Sequence, residues 1–209
     1  MERIDTVNPD NNLEQSKEKQ VVLLKRLSQL FKDNNIKWWL TGGHAIEVNI
    51  GPDSAYRQHG DLDIIIPITE MEKVKAILDA QNIVYNQDLP FRIMVEDNNE
   101  KVADLLFYEF TEDGSAILNT EAEIGRNIIY RPATFSTTPK EYLGSQVFTV
   151  RPELTYLQLK NSQSPREKDA QDLEQLKRLI DPKILADLEI GKPYVTADEL
   201  ERSKKTNKK

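Results

Sequence analysis

Thr41-Gly42-Gly43-His44-Ala45-Ile46-Glu47 and, past one loop, Arg57-Gln58-His59-Gly60-Asp61-Leu62-Asp63-Ile64-Ile65-Ile66 are the stretches on which the reading of this chain turns. Leu62 to Ile66 is apolar, rich in β-branched residues and closed by Pro67, which predicts a central strand. Alternate residues of a strand share a face, so Asp61 and Asp63 present their carboxylates side by side at the mouth of that strand. Close carboxylates repel unless a cation sits between them. Their hard oxygens suit magnesium, an ion that dehydrates reluctantly and is commonly completed by substrate phosphates. The bland alternative for Asp-Leu-Asp is a solvated strand start beside a turn.

Immediately upstream, Lys37 to Leu40 reads as a short buried strand running into Gly42-Gly43, with a short helix from His44 to Asn49 after it. Paired glycines between a strand and a helix let backbone amides approach a phosphate, and the helix N-terminus adds a favourable dipole. A plain turn accounts for an isolated Gly-Gly equally well. Joined to an Asp-x-Asp strand, the pair is no longer an isolated signal.

Working outward, Val21, Leu24, Leu27 and Phe31 recur at helical spacing and predict an amphipathic helix over about Gln20 to Lys32, ended by Asp33-Asn34-Asn35. Thr69 with Glu72 reads as a capping box opening a helix from about Glu70 to Gln81. Phe91 to Glu96 and Val102 to Phe110 flank Asp97-Asn98-Asn99 and predict an antiparallel hairpin. On it, Asp104 stands before Leu105-Leu106-Phe107, an acid among apolar neighbours that offers a third carboxylate for a metal site, or else lies at a wet strand edge. Further strand-like pieces are Asn127 to Tyr130 and Gln146 to Val150, and from Pro152 the pattern turns helical. This order indicates the α+β class, not a regular βαβ array. The expected organisation is a disordered segment over residues 1–17, a catalytic domain over 18–150, a C-terminal helical part over 151–200 and a basic disordered tail over 201–209.

The chain of 209 residues carries a net charge of -7, so its overall field disfavours a nucleic-acid partner. It has no cysteine, which removes disulfides, thiolate nucleophiles and cysteine-ligated zinc, and fits a reducing cytoplasm. No leader-like apolar run or membrane span is evident in the sequence, and cytoplasmic localisation is the expectation.

Taken together, the strand, Gly-Gly, short helix, Arg-x-His-x-Asp-x-Asp and later strand Asp resemble the DNA polymerase β-type nucleotidyltransferases, specifically the small antibiotic-modifying branch of lincosamide and aminoglycoside nucleotidyltransferases. The similarity spans about Asn35 to Leu118, where Asp104 followed by Glu112-Asp113-Gly114-Ser115 matches the family's strand Asp and Asp-Asp-Gly-Ser. The resemblance implies a nucleotidyltransferase fold, a mixed β-sheet flanked by helices with a small C-terminal helical part. It implies transfer of a nucleoside monophosphate from a nucleoside triphosphate to a hydroxylated small-molecule acceptor, an antibiotic foremost, with Mg2+ as cofactor and pyrophosphate released. Asp61, Asp63 and Asp104 would be catalytic and metal-binding, with Asp104 completing the metal site or taking the acceptor hydroxyl's proton. Gly42 and Gly43 would cradle the triphosphate, and Arg57 and His59 would brace the loop or meet phosphate oxygens. Lys160 and Lys168 match the family's lysine signals over the nucleotide, although charged helix faces are common without such a role. His44 and Glu47 stand where the family usually has Trp and Asp, beside the acceptor pocket. A homodimer is compatible with this reading.

Other readings are a toxin of the same core that modifies RNA or protein, and a non-catalytic antitoxin or nucleotide sensor. The first calls for a basic face, and intact Asp61, Asp63 and Asp104 oppose the second. A His-Asp phosphohydrolase is disfavoured, since only His44 and His59 are present and neither adjoins an Asp.

Overall fold

The strand expected at Leu62 to Ile66 is β2 (Leu62–Pro67) of the computed structural model, which describes residues 9–51, 57–119, 128–160 and 165–191. It lies between β1 (Trp39–Thr41), its antiparallel neighbour, and β5 (Glu100–Phe110), its parallel one. Beyond β5 come β4 (Arg92–Asp97) and then β3 (Tyr85–Leu89), both antiparallel to their neighbours, giving the order β1-β2-β5-β4-β3. At the Phe110 end of β5, β6 (Ala116–Leu118) and β7 (Ile128–Tyr130) complete a mixed sheet of seven strands.

The hairpin foreseen around Asp97-Asn98-Asn99 is present, and its turn explains the asparagines. Asn98 and Asn99 sit at φ 52° and 64°, the left-handed pair that a tight hairpin turn needs and that Asn tolerates. β3 was not foreseen because its sequence, Tyr-Asn-Gln-Asp-Leu, is polar along its exposed middle and shows no alternation.

Helix α1 (Pro9–Asp33) packs on β5 with Leu24, Leu27 and Phe31 fully buried. It starts well before Gln20, so the polar stretch expected to fray as far as Lys17 is helical from Pro9. Leu, Glu, Gln and Lys in that stretch are good helix formers that extend an already nucleated helix. At its end, Ile36 N–H donates to Phe31 O at 2.8 Å while Asn35 takes φ 53°, a Schellman-type stop.

Helix α2 (Gly42–Ile50) follows β1 directly. Helix α3 (Met71–Ala80) is present, but the capping box is not. Thr69 lies in a 3-10 turn over Ile68–Glu70, and the residue before α3, Glu70, makes no side-chain cap. The turn after Pro67 consumes the residue that would have capped.

A small hairpin, β8 (Lys140–Tyr142) and β9 (Ser145–Val147), turns through Leu143 and Gly144 at φ 50° and 77°. The strand expected to reach Val150 stops at Val147; Thr149 and Val150 make only isolated bridges to Leu40 and Phe135. Leu40 N–H donates to Phe148 O at 2.8 Å and Val150 N–H to Leu40 O at 2.9 Å, so this segment lies along the outer edge of β1.

From Pro152 the chain forms α4 (Pro152–Lys160), α5 (Glu167–Leu176) and α6 (Pro182–Gly191). Leu179 and Ile180 lie past the end of α5. Helices α4 and α5 pack against α2, and so stand over the β1–β2 end of the sheet. Among the described residues no helix is long and apolar enough to cross a membrane. Residues 1–8, 52–56, 120–127, 161–164 and 192–209, which include the start of the N-terminal segment and the basic tail, lie outside the described residues.

Candidate active site

The parallel pairing of β2 with β5 sets Asp63 directly opposite Asp104, and Asp61 stands one step before β2. In a parallel ladder paired residues point to the same side, so the three carboxylates converge; one oxygen of each lies within 4.8 Å of the others. Asp104 is only 7% exposed, and its Oδ1 is buried without a hydrogen-bond partner among the described residues. Burial above all, then the charges of Asp61 and Asp104, push the Asp63 carboxyl up to about 7 against the opposing pull of Lys101 and Lys168. Crowded hard oxygens with one acceptor unsatisfied are the donor set of a divalent cation such as magnesium, and the fit to these residues is good.

The glycines make this crowding sterically feasible. Thr41 pairs with Asp63, so α2 begins beside the carboxylates. Gly42 takes φ +62°, in the left-handed region, and a Cβ there would run into the Asp63 carboxylate. A Cβ on Gly43 would strike the His59 ring and the Arg57 guanidinium. Beside any opening to a phosphate, then, the pair clears space for the acidic and basic side chains that fold back over the backbone, a role that a bare Gly-Gly does not disclose.

Around the carboxylates opens a cleft of about 470 Å³. Gly42, Gly43, Arg57, His59 and Lys168 all line it, together with Asp61, Asp63 and Asp104. Lys160 does not; its Nζ lies over the Tyr156 ring, 5.7 Å from the centroid. Lys101, Thr155 and Arg166 also line it and were not among the expected site residues. Lys101 follows a turn in a polar run and reads as solvated, while Thr155 and Arg166 reach the cleft only through long-range packing of α4 and the segment before α5.

Arg57 and His59 are held from behind. Arg57 donates Nε and Nη2 to the two oxygens of Asp172 on α5 at 2.6 and 2.8 Å, a bidentate pair that ties the loop to the C-terminal helices. His59 Nε2 lies 2.8 Å from Glu47 Oε1, and the Tyr142 hydroxyl donates to Glu47 Oε2 at 2.6 Å. Burial opposes ionisation of Glu47, but these two hydrogen bonds prevail and hold its carboxyl below the usual range. His44 is buried with its ring nitrogens 2.7 Å from the Tyr142 hydroxyl and 2.9 Å from Gln20 Oε1, and Gln20 Nε2 donates to the His59 carbonyl at 3.0 Å. His44 and Glu47 thus support the loop from below and are not among the residues lining the cleft. His44, Glu47 and His59 do place one potential ligand atom each within 4.8 Å of one another, forming a second, buried cluster.

A family model described as aminoglycoside-2''-adenylyltransferase matches residues 23–176, which takes in the glycine pair, all three carboxylates and both α4 and α5. The chain belongs to that family. As a member of it, the chain is a nucleotidyltransferase of the antibiotic-modifying kind. Solved structures agree on the fold. The lincomycin-bound lincosamide antibiotic adenylyltransferase LnuA aligns at 22% identity with a TM-score of 0.60, covering 78% of this chain and 98% of its own. The antibiotic-resistance factor ANT(2'')-Ia, solved in solution, aligns at 14% identity with a TM-score of 0.64, covering 83% and 91%. An antigenic nucleotidyltransferase-like protein from Paracoccidioides brasiliensis aligns at 15% identity with a TM-score of 0.51, covering 84% and 89%. No curated protein matches the sequence.

Proposed function

We propose that this family member transfers the adenylyl group of ATP to a hydroxyl of an aminoglycoside and releases pyrophosphate, with magnesium as its cofactor. The observation that carries the reading is the register Asp63↔Asp104, which brings two strands' acids to one point beside Asp61. The net charge of -7 favours a polycationic acceptor. A lincosamide acceptor is the second reading, favoured by the 22% identity to LnuA against 14% to ANT(2'')-Ia.

Asp61, Asp63 and Asp104 would hold the magnesium ions, whose contribution when bound is to polarise the α-phosphate and neutralise charge on the attacking and departing oxygens. Lys168 and Arg166, with the amides at the start of α2, face the cleft and would hold triphosphate oxygens in line. The acceptor hydroxyl would give its proton to the Asp104 carboxylate as the new O–P bond forms. The bond from the α-phosphorus to the pyrophosphate oxygen breaks at the same time, and no enzyme-bound intermediate is needed. Arg57 keeps the loop in place through Asp172 while Glu47 and Tyr142 hold His59.

The test is incubation with each nucleoside triphosphate, magnesium chloride and a panel of aminoglycosides and lincosamides, reading adduct masses. An adduct heavier than the acceptor by one AMP less one water is expected with ATP, and absent from the Asp63→Asn variant. Product that survives that substitution, or tight nucleotide binding without product from any acceptor, overturns the reading; the latter outcome favours a sensor.

A further inference from the structure

Strand β5 carries a residue with no counterpart on β4. Val95 pairs with Ala103 and Glu96 with Lys101, so Val102 is extra and the ladder is bulged there. In an unbroken strand Lys101 would share a face with Ala103 and point away from Asp104. A bulge reverses that parity and re-aims the side chain before it. Lys101 Nζ accordingly stands in ion-pair contact with Asp61 and 3.1 Å from Asp104 Oδ2. The Lys101 side chain is 42% exposed whereas that of Asp104 is 10% exposed, so the ammonium is kept in place by charge and not by packing. Its long flexible stem leaves it free to swing into the cleft.

Two other cations of the cleft, Arg57 and Arg166, lack this property. Arg57 is locked on Asp172, and Arg166 is held by Asp169 through its Nε and Nη2. Lys101 alone of these is committed to the oxygens that a divalent ion would take. An ammonium at hydrogen-bond distance and a magnesium ion at about 2.1 Å cannot use the same carboxylate lone pairs at once.

Resting on the metal-and-triphosphate reading above, we propose that Lys101 is a positioning residue, a built-in counter-ion that magnesium must displace from Asp61 and Asp104 and that then binds the triphosphate. Ion entry alone breaks two ion pairs without replacing them. Ion entry with nucleotide gives the released ammonium new anionic partners. Metal and nucleotide therefore bind cooperatively, and by reciprocity each strengthens the other equally.

The experiment measures Mn2+ binding by electron paramagnetic resonance of the free ion, with and without a non-hydrolysable ATP analogue, in the native protein, Lys101→Met and Lys101→Gln. Cooperative thermal unfolding near the native midpoint establishes that each variant is folded, and two variants guard against one failing to fold. Without nucleotide, both are expected to bind Mn2+ about fivefold more tightly than the native protein, the scale of a partly exposed ion pair. At saturating Mn2+, both are expected to bind the analogue about fivefold more weakly, for the same reason. Lack of either change overturns the proposal while leaving the metal site intact. A native protein that binds no Mn2+ even with the analogue, and so matches Asp63→Asn, overturns the metal-and-triphosphate reading itself and this inference with it.

Discussion

At Gly42 a single methyl group is decisive, because it would meet the Asp63 carboxylate at a backbone angle of φ +62°. Gly42→Ala is expected to destabilise the fold by about 1–2 kcal/mol through the disallowed conformation. It is also expected to lower kcat/KM by about a hundredfold by displacing Asp63. Thermal melting and steady-state kinetics check both, and near-native activity would show that Asp63 does not need its present position. Asp63 itself carries the opposite signature. Its carboxyl titrates near 7 in place of an ordinary 3.8, so between those values the folded protein holds a proton that the unfolded chain has released. That stabilisation is full below pH 3.8 and has gone once pH passes 7, leaving a crowded anion. With metal chelated, Asp63→Asn should therefore be more stable than the native protein by an order of 2–4 kcal/mol at pH 8 and by only about 1–2 kcal/mol at pH 5. Melting curves at both values read the difference, and an Asn variant less stable at pH 8 would contradict the crowding. The same variant should be inactive.

Among the elements, α5 takes part in the site by holding it closed over the sheet. Its Asp172 is the bidentate partner of Arg57, which stands within reach of Gly43 at the start of α2. Asp172→Ala is expected to release the loop and lower kcat/KM by about tenfold to a hundredfold, the range for misplacing a positioning group. Kinetics at saturating acceptor test this; a value within twofold of native would make the Arg57–Asp172 pair structural only. Such a pair spans 115 positions of sequence, so no local pattern could disclose it. Local patterns did disclose β2, whose apolar β-branched run has few other uses, and the β4–β5 hairpin, whose Asn-Asn turn demands left-handed residues. They failed where tertiary context supplied the reason: the exposed polar strand β3, the cap replaced by a 3-10 turn before α3, and the Val102 bulge that aims Lys101. Propensity without a hydrophobic face also hid the first turns of α1.

On the scale of the molecule, the account rests on one mixed sheet in which a single parallel pair, β2 with β5, aligns acids from distant segments. Asp61 and Asp63 are legible in sequence because acids seldom interrupt a buried strand without purpose, and Asp104 for the same reason. Their meeting depended on register, which the sequence pattern does not encode by itself. The cleft walls are still further from the sequence, since Thr155 arrives on α4 and Arg166 just before α5, and of the two lysines that the resemblance offered Lys168 lines the cleft and Lys160 does not. The most direct measurement is a crystal structure with Mn2+ and a non-hydrolysable ATP analogue, using anomalous scattering to place the ion. Manganese within about 2.2 Å of carboxylate oxygens of Asp61 and Asp63, with Asp104 beside it and the triphosphate completing its shell, is the expected result. An ion seated instead between His44, Glu47 and His59, or none at the three aspartates, would contradict the account.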